Sequence, residues 1–144
     1  MSETGRILRI TQDIANQNGL ITQAWLNYAL PDGRLHLAAA IYRAATGETP
    51  DVFYDNVAAS ERLIHANQPV MTALRWISAV LDTWPPHDGD TRRDDHLEHI
   101  TTWLDQPDFL TGARPNTSDV IGVLIRTAET ADTLTDIPRP RAAA

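Results

Sequence analysis

Apolar residues recur at spacings of three and four along most of this chain, and a capping residue, glycine or proline punctuates each run. That pattern predicts an all-α fold. Ile7, Ile10 and Ile14 predict a helix from about Glu3 to Asn18, with Ser2 as N-cap and Gly19 ending it as the residue past the C-cap. Leu20 to Leu30 fits either a short strand or an irregular apolar connection. Pro31-Asp32-Gly33 is a turn signal, and Leu35, Leu37, Ala38, Ile41, Tyr42 and Ala45 then read as a helix closed by Gly47. A hairpin tip is the alternative for that turn, but the alanines after it favour helix.

Thr49-Pro50 is a helix start with proline at its first position, and Val52, Phe53, Val57, Leu63 and Ile64 carry the pattern to about Asn67. Pro69 opens the next helix, with Val70, Leu74, Ile77, Val80 and Leu81 inward, and Trp84-Pro85-Pro86 terminates it. A loop from His87 to Thr91 precedes a helix from about Arg92 to Leu104. A second loop runs from Gln106 to Pro115. Asn116 and Asp119 have the spacing of an N-cap and an acidic N3 residue, opening a helix with Val120, Ile121, Leu124, Ile125 and Ala128 on one face. The expectation is a compact single-domain bundle of five to six helices over residues 1–134. Residues 135–144, with two prolines and an Ala triplet, read as a flexible tail.

Composition removes several kinds of chemistry. With no cysteine there are no disulfides, thiolate metal sites or cysteine nucleophiles. With no lysine there is no Schiff-base residue and no P-loop lysine, and no Gly-rich phosphate loop appears. Apolar runs fall far short of the roughly 20 residues that span a bilayer, and Met1 to Arg9 lacks an apolar signal core, so the chain reads as cytoplasmic with no membrane partner. A net charge of −7 without a clustered basic surface disfavours nucleic acid as a partner.

The charge is concentrated. Asp82 to Asp108 holds eight of the nineteen acidic residues but two of the twelve arginines, along with His87, His96, His99, Trp84 and Trp103. His96 and His99, three apart, share a helix face at a separation that suits a metal ion, with Asp88, Asp90 or Asp95 as carboxylate ligand. The structural alternative is stronger. Leu97, Ile100 and Leu104 form the buried stripe, and the two histidines with Trp103 lie along its shoulder, where they pack and hydrogen-bond. No general-base glutamate separates the histidines as in a zincin helix, and no third ligand is fixed.

Asp94 and Glu98 read as solvated helix surface. Asp88 and Asp90 beside Gly89 resemble a calcium-loop start, but no glutamate closes the loop at its twelfth position. None of Ser2, Ser60, Ser78 and Ser118 lies in a nucleophile elbow, and Ser118 reads as first-turn helix. His36 and His65 read as satisfied core or border histidines and Trp25 and Trp76 as core; for Trp84 and Trp103 structural packing is the stronger reading and lining a groove the alternative.

Trp103-Leu104-Asp105-Gln106-Pro107, Asn116-Thr117-Ser118-Asp119-Val120-Ile121 and Leu124-Ile125-Arg126-Thr127-Ala128 carry a family resemblance. The chain resembles the actinobacterial and phage family called domain of unknown function 6197, with its Trp-Asn-Asp-x-Pro-like corner before a threonine-capped helix. Leu104 stands where the family tends to have asparagine, and the loop after the corner is longer. Upstream, the stretch from Gly33 to Gly47 is similar to the family's glycine-bounded helix, without the cysteine frequent there. The resemblance spans about Ile7 to Leu134 and implies a compact helical domain without assigning an activity. It also implies that the Trp103 ring packs under the last helix while Asp105 receives backbone donors.

These readings favour a non-catalytic protein-binding or regulatory accessory module that requires no cofactor. Its partner would be a protein, basic in character, and a homo-oligomer is compatible with the sequence. The interaction candidates are Trp84, Asp88, Asp90, Asp94, Asp95 and Trp103. The alternative is a small metal-dependent or acid-base enzyme centred on His96 and His99. A third reading is an acidic decoy that mimics nucleic acid, for which the charge is low.

Overall fold

The structure is a computed structural model that describes residues 2–22, 27–81, 95–107 and 110–138. The fold is all-α. Seven helices are present among the described residues: α1 (Glu3–Asn18), α2 (Leu37–Thr46), α3 (Val52–Asp55), α4 (Val57–Ala66), α5 (Gln68–Val80), α6 (His96–Asp105) and α7 (Thr117–Thr133). α1 and α7 make the most extensive helix pair, α2 and α5 close the bundle against them, and α6 packs on α5. A single apolar cluster draws on all seven helices, with Leu8, Ile41, Leu74, Ile77, Ile100 and Leu124 fully buried.

Local chemistry sets most boundaries. The Ser2 hydroxyl accepts from the Gly5 amide at 2.9 Å, and Gly19 ends α1 with φ 76°. Gly47 closes α2 in the left-handed conformation. Asn116 and Asp119 form a reciprocal capping box at the start of α7. Ser118 is in its first turn.

The run between Thr49 and Asn67 differs from the single helix expected, which raises the helix count to seven. Asn56 leaves helical geometry, and its side chain caps the Ala59 amide at 3.0 Å, splitting the run into α3 and α4. A side-chain acceptor that satisfies a first-turn amide competes directly with helix continuation. α6 starts later than expected, at His96, because the Asp95 carboxylate accepts from the Glu98 amide at 2.9 Å and so makes Asp95 the N-cap. Arg92, Arg93 and Asp94 lie outside the described residues.

The described parts of Leu20 to Leu30 form neither a strand nor a helix. Leu20, Ile21, Tyr28 and Ala29 are core residues in an irregular connection. The Ile21 amide donates to the Leu35 carbonyl, the His36 amide to Tyr28 and the Leu30 amide to Arg34, so Pro31-Asp32-Gly33 turns the chain hairpin-fashion before α2 begins. The Ala29 amide donates to the Phe53 carbonyl at 2.8 Å, which ties this connection to α3. Among the described residues no helix is long and apolar enough to cross a membrane. Trp25 and residues 139–144 of the expected tail lie outside the described residues.

Candidate functional site

The buried polar side chains direct attention to the start of α6. Thr11, Ser60 and Thr127 bond backbone carbonyls of their own or an adjacent helix, an arrangement that is purely local. Ser78 does not. Its Oγ lies 2.6 Å from Nδ1 of His99 and 2.9 Å from Nδ1 of His96, joining α5 to α6 across 18 to 21 positions of sequence. Ser78 is 1% and His99 2% exposed, whereas His96 is half-buried. Burying polar side chains is favourable only when they are hydrogen-bonded, and the buried Ser78 and His99 are bonded to each other.

The two histidines therefore follow the packing alternative in part, since both hydrogen-bond, but His99 is core and not a shoulder residue. Their Nδ1 atoms converge on a hydroxyl. Among the described residues, no third histidine or carboxylate joins them in a group able to hold a metal ion.

A second pair of buried polar rings lies near the carboxylates at the start of α6. Tyr28 and His36 meet edge to face with centroids 4.9 Å apart. Burial pushes the Tyr28 phenol well above its ordinary pKa, and the Glu61, Glu98 and Asp95 carboxylates push in the same direction. His36 is fully buried, which lowers its pKa to about 3 and keeps the ring neutral. Its Nδ1 accepts from the Ala38 amide at 3.0 Å, so His36 is the N-cap of α2 and the proton of the neutral ring sits on Nε2. That role accounts for a histidine in an apolar stretch without invoking catalysis. His65 is exposed at the end of α4, and Trp76 is core.

Past the C-terminus of α6 the surface becomes concave. A groove of about 520 Å³ is lined by Trp103, Pro107, Ala113, Arg114, Pro115 and Asn116 among others. A hollow of about 470 Å³ shares Pro107, Arg114, Pro115 and Asn116 with it and reaches Thr22. Trp103 is half-buried and packs against the core, so its ring joins the interior to the groove. Asn116 and Asp119 place the start of α7 on the groove's far side.

Among the described residues no backbone amide donates to the Asp105 carboxylate, where the resemblance implies such donors. Its carboxylate faces the Arg114 Nε at 3.5 Å, and that Nε donates to the Asp105 carbonyl oxygen at 3.1 Å. A guanidinium from the following loop thus closes the corner.

Of the interaction candidates, Asp95 and Trp103 can be located, and they lie at opposite ends of α6. Asp95 is committed to capping and Trp103 to the groove. Trp84, Asp88, Asp90 and Asp94 fall outside the described residues. Ser78 is the residue that motif reasoning missed. The available signal was a hydroxyl four positions after Leu74 and next to Ile77, on the face that α5 buries. Comparison of the chain with protein-family models, curated proteins and solved structures finds no match.

Proposed function

We propose that this chain is a non-catalytic binding module that docks a basic protein segment along α6 and in the Trp103 groove. The observation that carries the reading is a half-buried tryptophan in the wall of a groove large enough for several side chains. Aromatic anchors that are supported from behind and open in front dominate the energetics of protein interfaces. Charge supports a cationic partner. α6 exposes Glu98 and Asp105 and contains no arginine, on a chain of net charge −7. Such a field speeds encounter with a basic surface and weakens as salt screens it.

The test is affinity capture on the untagged chain beside a Glu98→Lys variant, which leaves the Asp95 cap, the Asp105–Arg114 corner and the core untouched. Partners held by the wild type and lost from the variant support the reading. An identical set on both overturns it.

A second reading is acid-base or metal chemistry centred on His96 and His99, and the Ser78 contacts favour its acid-base form, because a hydroxyl between two imidazoles is a proton-transfer arrangement. Stoichiometric zinc, manganese or iron in untagged protein, lost in a His96→Ala, His99→Ala variant, supports the metal form of that reading. Metal content that does not differ between the two removes it.

A further inference from the structure

We propose that the Ser78 hydroxyl holds His96 and His99 in opposite tautomers, His96 with its proton on Nδ1 and His99 with its proton on Nε2. A serine hydroxyl has one proton and two lone pairs. Both rings turn Nδ1 toward that same oxygen, at 2.9 Å from His96 and 2.6 Å from His99. Two unprotonated Nδ1 atoms cannot share the single hydroxyl proton. Two protonated ones would leave that proton, on a side chain 1% exposed, without an acceptor among the described residues. One ring therefore accepts from Ser78, and the other donates to it.

The two distances assign the roles. Hydrogen bonds donated by a hydroxyl are shorter than those donated by a nitrogen, and 2.6 Å falls in the first class while 2.9 Å is ordinary for the second. Ser78 donates to Nδ1 of His99, and Nδ1–H of His96 donates to Ser78. Nε2 of His96 is then the unprotonated nitrogen, and Nε2 of His99 carries the proton.

Ser78 is a positioning residue in this arrangement, and it divides the chemistry of the pair. A proton added at Nε2 of His96 leaves both serine bonds in place, whereas one added at Nδ1 of His99 breaks its bond to Ser78. The tautomers of the two rings do not depend on whether the groove docks a partner.

Two-bond ¹H–¹⁵N correlation spectra of the uniformly labelled full chain, recorded on the alkaline plateau of the imidazole titration, report which nitrogen of each ring is protonated. The expected pattern is Nδ1–H for His96 and Nε2–H for His99, and any other assignment of the two rings overturns the proposal. In Ser78→Ala the His96 pattern changes, because Nδ1–H has lost its acceptor. A His96 pattern that stays unchanged removes the serine's role. The wild-type spectrum decides the tautomers by itself if that variant does not fold.

Discussion

The Oγ of Ser78 on α5 and Nδ1 of His99 on α6 lie 2.6 Å apart with both side chains buried. This contact and its partner at His96 fasten α6 to the bundle by something other than apolar packing. Removing the hydroxyl leaves two ring nitrogens to find new partners, one of them in the core. Ser78→Ala is expected to lower stability by about 1–3 kcal/mol. Urea unfolding followed by circular dichroism measures it, and a loss below about 0.5 kcal/mol would mean that the rings repartner freely.

His36 makes a prediction about pH. Its pKa falls from 6.5 to about 3 on folding, so between those values the unfolded chain binds a proton that the native protein does not. Stability is then fully present above pH 6.5 and is lost as pH falls toward 3, with a slope approaching about 1.4 kcal/mol per pH unit from this residue. His36→Asn keeps an acceptor for the Ala38 amide and has no titrating group. Its stability, measured by urea unfolding across that range, should vary less with pH than the wild type's. Parallel curves would contradict a neutral His36.

The Asp132 carboxylate closes the start of α1 onto the end of α7. It accepts from the Ser2 amide and hydroxyl, both at 2.8 Å, and from Arg9 at 2.6 Å. The Ser2 amide bond contributes most to holding its pKa well below the usual carboxylate range, followed by the Arg9 and Ser2 side chains. A depressed carboxylate adds stability above its ordinary pKa and loses it as pH falls, so Asp132→Ala should lower the Tm at neutral pH and flatten the acid limb of a Tm–pH profile.

Gly5 belongs to the same closure, since a Cβ there would run into the Asp132 carboxylate and approach the Arg9 guanidinium. In an open helix Gly→Ala gains up to about 1 kcal/mol. Here Gly5→Ala should raise the Tm in the Asp132→Ala background and give less, or the opposite sign, in the wild type. Equal shifts in both backgrounds would show that Gly5 and Asp132 do not interact.

How much of this was legible in the sequence follows the range of the interactions. Ser2 with Gly19, Gly47, and Asn116 with Asp119 act within one turn of a helix end, and each boundary falls where local chemistry puts it. Asn56 is equally local but sits inside an apolar-periodic run, where periodicity outweighed the signal of a capping side chain. Asp95 is likewise a local cap, and it falls inside the stretch expected to be helical from about Arg92. His96 and His99 were legible as a pair, but the hydroxyl they share comes from another helix. The groove brings together the end of α6, the loop after it and the start of α7, a convergence that spacing along the chain does not reveal.

Docking in the Trp103 groove is most directly tested at Ala113. Ala113 is exposed, lines the groove and takes no part in the core, so Ala113→Trp fills the space without disturbing what supports Trp103. Isothermal titration of a captured partner against the wild type and Ala113→Trp is the deciding measurement. The account predicts binding at least tenfold weaker in the variant, about 1.4 kcal/mol, with an unchanged Tm. Equal affinity for the two proteins would contradict it.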